Sequence, residues 1–69
     1  MAKYKLERIE MESYMLVEVE TGEVEAFILS EHQVVGDEEW LDFYVDGLPP
    51  RFSDPKAAAE YYLKEVAHV

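Results

Sequence analysis

Twelve carboxylates lie between Arg8 and Arg51 with no lysine or arginine among them: Glu10, Glu12, Glu18, Glu20, Glu23, Glu25, Glu31, Asp37, Glu38, Glu39, Asp42 and Asp46. Carboxylates at this density can act as an acid–base pair, hold a divalent cation, or present fixed negative charge to a cationic partner. The first use needs a concave, partly dry pocket that separates two pKa values, which a small sheet with one helix rarely provides. The second needs alternating Asp or Asn ligands around a central glycine with a closing Glu. The run Gly36-Asp37-Glu38-Glu39-Trp40-Leu41-Asp42 shares only the composition of such a loop. Display of charge is the use that remains.

Other catalytic chemistry finds little to work with. Ser30 and His32 stand two apart on one strand face, as a nucleophile and a base would, but no third group follows to orient the imidazole. Gly22, Gly36 and Gly47 are isolated, so no glycine-rich loop can cradle a phosphate. The chain has no cysteine and two histidines, His32 and His68, which rules out disulfides and the ligand set of a structural zinc site. The sequence therefore reads as non-enzymatic, with no catalytic residues, no metal and no cofactor.

A net charge of −10 on 8.0 kDa sets the choice of partner. Direct binding to nucleic acid or to an anionic membrane depends on cations that this chain does not offer. Trp40 and Tyr44 resemble base-stacking groups, yet their neighbours are Asp42 and Asp46, where a stacking platform would carry a cationic groove. The field of such a body instead speeds encounter with a basic protein surface, including one that holds nucleic acid. An apolar fraction of 49% argues for a folded chain. No leader-like segment follows Met1, and no apolar run reaches the roughly eighteen residues of a membrane span, so the expected location is cytoplasmic.

The elements that would display these residues follow from periodicity. Residues 14–29 alternate around Thr21-Gly22, and a two-residue turn there sets Val19 opposite Val24, Val17 opposite Ala26 and Met15 opposite Ile28 on an apolar face. The other face then pairs Glu20 with Glu23, Glu18 with Glu25, Leu16 with Phe27 and Tyr14 with Leu29. Residues 3–10 form an earlier strand whose apolar phase shifts between Leu6 and Ile9, the mark of a bulge. Residues 39–46 form a further strand with Leu41, Phe43 and Val45 on one side and Trp40, Asp42, Tyr44 and Asp46 on the other. A long loop is expected over residues 31–38. Gly47-Leu48-Pro49-Pro50 turns the chain, and Arg51-Phe52 pair briefly. Ser53-Asp54-Pro55 caps a helix that runs to about Ala67 and packs Ala59, Tyr62, Leu63 and Val66 on Met15, Val17, Val24, Ile28, Phe43 and Val45. The expected fold is α+β: one domain over residues 1–69, an antiparallel sheet of three to four strands and a C-terminal helix on one face.

This arrangement leaves Tyr14, Leu16, Phe27, Leu29, Trp40 and Tyr44 outside, interleaved with Glu18, Glu20, Glu23, Glu25, Asp42 and Asp46. Mixed acid and aromatic residues suit a recognition surface, because aromatics anchor an interface while charge steers and selects. The candidate partner-binding set is Glu18, Glu20, Glu23, Glu25, Asp37, Glu38, Glu39, Trp40, Asp42, Tyr44 and Asp46. Carboxylates at i and i+2 on facing strands make a two-row array, about 6.6 Å by about 5 Å, able to imitate phosphates.

In size, charge and mixed sheet-helix build the chain resembles the small acidic inhibitors of phages and mobile elements, including DNA-mimic anti-restriction and anti-CRISPR proteins. The acidic strand positions Glu18, Glu20, Glu23, Glu25, Asp42 and Asp46 carry that resemblance, which implies occlusion of a partner's nucleic-acid channel. The stretch Phe43-Tyr44-Val45-Asp46-Gly47-Leu48-Pro49, with strands before it and a helix after, is similar to the antitoxin domain that covers a small basic RNase toxin. The expected function is thus an acidic inhibitor seated on a basic partner surface. The alternative is a small homodimeric assembly or antitoxin-like subunit that uses the aromatic face.

Overall fold

The computed structural model describes residues 3–67. Four strands, β1 (Tyr4–Glu10), β2 (Ser13–Glu18), β3 (Val24–Val35) and β4 (Glu38–Val45), form one antiparallel sheet in sequential order. A single helix, α1 (Pro55–Tyr61), follows and passes into a π-helical turn over Tyr62–Val66. The expected α+β architecture is therefore present with the larger strand count. The bulge expected in β1 falls between Arg8 and Glu10. Arg51-Phe52 also behaves as its sequence implies, since Phe52 forms an isolated antiparallel bridge with Phe43.

Helix α1 begins where the sequence places it. The Asp54 carboxylate accepts the Ala57 N–H at 2.8 Å, and Pro55 occupies an opening position where its missing N–H costs nothing. Its small residues Ala58 and Ala59 are buried, which lets the helix sit close over β3 and β4. Beneath it lie Ile28, Phe43 and Val45, flanked by Leu6, Tyr14, Ala26, Leu41, Leu48 and Phe52. Fully burying Ile28 contributes about 1.5–3 kcal/mol. The expected helix stripe fails at its last residue. The π turn, closed by the Ala67 N–H on the Tyr62 carbonyl at 2.9 Å, adds a residue to the turn and rotates Val66 off the sheet, leaving it exposed.

The β2–β3 register corrects the expected hairpin. Tyr14 pairs with Ile28, Met15 with Phe27 and Leu16 with Ala26, after which Glu25 bulges out and Val17 pairs with Val24. The turn is the reason. Residues 19–22 form a four-residue loop, closed by the Glu18 N–H on the Glu23 carbonyl at 2.9 Å and the Gly22 N–H on the Glu18 carbonyl at 2.8 Å. Gly22 takes the positive φ of 76° that the loop requires, and the Thr21 hydroxyl donates to Glu18 while accepting the Glu23 N–H. A slip of one residue exchanges the faces of a strand. Tyr14 and Leu16 therefore lie on the helix side with Ala26, which was expected there, while Met15 leaves that side with the slip of β2 and Val24 through the Glu25 bulge. Val17 is buried as well, on the opposite face by alternation, beside Lys5 and Val24.

The second correction concerns residues 31–38. They are not a loop: β3 continues through Val35, turns at Gly36-Asp37, and returns as β4. Gly36 supplies a positive φ of 61° at the first central position of this two-residue turn. The ladder to β2 ends at Tyr14 and Ile28, whereas the ladder to β4 runs on to the Val35–Glu38 pair. The far half of the β3–β4 hairpin is thus a two-stranded arm projecting from the sheet. It gives the molecule extents of 45 × 24 × 16 Å and a radius of gyration of 12.7 Å. A compact chain of this length would have about 11 Å.

Candidate functional site

The acidic positions fall into separate groups along the 12 residues of β3. At the β2–β3 end, Glu18 lies opposite Tyr4 and accepts the Thr21 hydroxyl at 2.7 Å. The bulged Glu25 accepts the Tyr62 hydroxyl at 3.1 Å on its carboxylate and at 3.4 Å on its carbonyl. Burial, and then the hydrogen bond and charge of Glu25, push the Tyr62 phenol above its ordinary value. Glu18 and Glu25 are therefore engaged within the molecule, while Glu20 and Glu23 sit exposed in and beside the loop. The two-row array expected there, with Glu18 facing Glu25 and Glu20 facing Glu23, does not form.

A denser grouping lies on the arm. Across the β3–β4 ladder Leu29 faces Tyr44, Glu31 faces Asp42 and Gln33 faces Trp40, all on the side of the sheet away from α1. Gln33 Nε2 donates to Glu31 Oε1 at 2.6 Å, and Trp40 Nε1 donates to Asp42 Oδ1 at 3.0 Å. Each member of the opposed acid pair is thus held by a neutral N–H donor from the next row toward the tip. Asp37 and Glu38 continue the charge onto the turn. Glu39 lies on the other face, where its Oε1 is 3.0 Å from His32 Nε2. That side also carries Ser30, opposite Phe43, so His32 is directed toward a carboxylate.

Trp40, Asp42 and Tyr44 occupy the outer face as their alternation implies, together with Phe27 and Leu29. Phe27 and Trp40 are each 44% exposed. Tyr14 and Leu16, expected beside them, lie on the helix side. Asp46 is exposed just beyond β4, its N–H donating to the Phe27 carbonyl at 2.9 Å. The Arg51 guanidinium carbon stands 4.0 Å from the centroid of the Tyr44 ring. An open cleft of about 690 Å³ runs along the edge of β4 between Trp40, Asp42, Arg51 and Phe52.

Glu31, Gln33 and Arg51 are absent from the set chosen by sequence. Residues 30–33 are polar on both faces, so the one signal for the first two was the Val34-Val35 pair ahead of the Gly36-Asp37 turn. Among the described residues no group of three or more acidic or histidine side chains is arranged to hold a metal ion. No helix there is long and apolar enough to cross a membrane. Comparison with protein-family models, curated proteins and solved structures gives no match, so the functional reading rests on this surface.

Proposed function

We propose that this chain is a non-enzymatic protein-interaction module that binds a basic partner surface and competes there with nucleic acid. The observation that carries the reading is the arm, where Glu31, Asp37, Glu38, Glu39 and Asp42 project from the sheet with no lysine or arginine on either strand. A two-stranded ribbon is narrow enough to enter a groove, and its opposed carboxylates meet cations that would otherwise hold phosphates. The mechanism is steric and electrostatic occlusion. Affinity capture from a bacterial lysate, at low and high salt and with or without competing duplex DNA, tests it. Retention of a nucleic-acid-binding protein that both salt and DNA release is the expected result. A retained partner indifferent to both would overturn the reading.

Self-association through the outer face is the second reading, favoured by the exposure of Phe27 and Trp40 on the side of the sheet away from α1. The carboxylates of the arm would then lie at the rim. Sedimentation of the purified chain separates the two, since this reading requires a dimer at low micromolar concentration that salt does not dissociate.

A further inference from the structure

The edge of β4 is only partly closed. Phe43 sends both its N–H and its C=O away from β3, each bonded to Phe52 at 2.8 Å. Nearer the helix, the Val45 carbonyl accepts the Leu48 N–H at 2.9 Å. Backbone groups two residues apart on a strand point the same way, so Leu41 and Glu39 direct their N–H and C=O outward along the line that Phe52 begins. Among the described residues nothing bonds to these four groups. Charged side chains, lysine above all, and prolines ordinarily guard such an edge. Prolines stand at 49 and 50, before the Phe52 bridge, and past Phe43 toward the tip the guards are the acids Asp42, Glu39 and Glu38, which repel another acidic edge and not a basic one.

We infer that the open edge of β4 at Glu39 and Leu41 takes an extended, lysine- or arginine-bearing segment of a partner protein as an added strand. The inference rests on the basic-partner reading above and specifies the form that partner takes. A strand laid along this edge continues Phe52 toward the arm tip. Its residue opposite Leu41 lies on the helix side, where an apolar side chain meets Leu41. Its neighbours point to the outer face, beside Trp40 and Asp42, where the cleft gives them room. A cation there has the face of Trp40 and the carboxylate of Asp42 within reach. The residue opposite Glu39 meets a further carboxylate. Charge also decides against a second copy of this chain, because edge-to-edge pairing would set Glu39 and Asp42 of one protomer against the acids of the other. Main-chain bonds would give the affinity and the alternate cationic side chains the selectivity.

The test uses the full chain and a short blocked peptide of alternating lysine and valine, compared with the same peptide N-methylated at alternate amides. Methylation keeps charge and apolar surface and removes the N–H groups that a strand must donate. Nitrogen-15 NMR of the chain is expected to show slowed amide exchange at Leu41 and Glu39 with the plain peptide, and binding about tenfold weaker with the methylated one. Equal binding of the two peptides, or protection at neither amide, would overturn the added strand and leave salt-sensitive binding to a basic partner standing. No salt-sensitive binding of either peptide would count against the strand and the basic-partner reading together. Self-association of the chain that protects the same amides without peptide would assign the edge to a second copy and overturn the inference.

Discussion

Glu31 and Asp42 face each other directly across the β3–β4 ladder, the one opposed pair of carboxylates in the described strands. Their alternation places them in a pair that exchanges two backbone hydrogen bonds, about 5.5 Å apart at Cα. Like charges so placed oppose the hairpin by a few tenths of a kcal/mol. The Gln33 and Trp40 donors offset part of that cost and fix the carboxylates in place. Asp42→Asn and Glu31→Gln keep the acceptor oxygens and remove the repulsion. Each is expected to raise the melting temperature by about 1–4 °C while weakening partner binding. Thermal unfolding followed by circular dichroism reads the first effect. Unchanged or lower stability in both variants would show that the pair is not repulsive.

Charge reversal separates the two acidic groups. Glu31→Lys with Asp42→Lys should abolish salt-dependent association, whereas Glu20→Lys with Glu23→Lys at the opposite end of β3 should lower affinity only through net charge. Binding measured across a range of ionic strength distinguishes them, because the arm variant loses the salt slope itself. Equal losses in the two variants would remove the arm from the interface.

Neighbouring residues on β3 should differ sharply in what they tolerate. Ile28 is 0% exposed beneath α1, and Ile28→Ala is expected to cost about 2–5 kcal/mol. A chain of this length has about 3–10 kcal/mol in total, so much of the variant should be unfolded. Phe27→Ser on the outer face, where Phe27 is 44% exposed, should cost about 1 kcal/mol. Urea denaturation of both checks which face of β3 lies beneath α1.

Met11 carries the one positive φ on a non-glycine residue among the described positions, 46°, in the turn between β1 and β2. A left-handed backbone costs an L-residue about 1–2 kcal/mol, part of which glycine returns through the entropy of its unfolded chain. The Arg8 Nε bond to the Met11 carbonyl survives substitution because it uses main chain. Met11→Gly is therefore expected to stabilise by about 0.5 kcal/mol, read as a higher urea midpoint at unchanged slope.

Tyr62 sets an alkaline limit. Burial and Glu25 raise its pKa in the folded chain, so the folded state holds the phenolic proton more tightly than the unfolded state does. That contribution is complete below the ordinary tyrosine value of about 10 and is lost as pH rises through the folded value. Tyr62→Phe should flatten the fall in stability above about pH 10, measured by urea titration at a series of pH values. A fall as steep in the variant would place the alkaline sensitivity elsewhere, with Tyr4, raised by burial and by Glu25 and Glu18, the next group to vary.

The parts legible in the sequence were those with a single periodic reading. Leu41, Phe43 and Val45 alternate without interruption, and Asp54-Pro55 has few uses other than opening a helix. The β2–β3 register was not legible, because Thr21-Gly22 serves a two-residue turn and a four-residue loop equally well, and the choice turns on the Thr21 hydroxyl and the Glu25 bulge. The far half of β3 was hidden for another reason. Ser30-Glu31-His32-Gln33 is polar on both faces because the arm is wet on both faces, and a strand with no buried side loses the alternation that identifies it. Asp42 was placed on the outer face, but its opposition to Glu31 was lost with that half of the strand.

The most direct measurement is equilibrium competition between this chain and a labelled duplex for the partner that affinity capture retains, at about 50 and about 200 mM salt. Displacement of the duplex one for one, weaker at the higher salt and absent with Glu31→Lys and Asp42→Lys, is the result expected of an arm that occupies the nucleic-acid site. A stable ternary complex of chain, partner and duplex would contradict it.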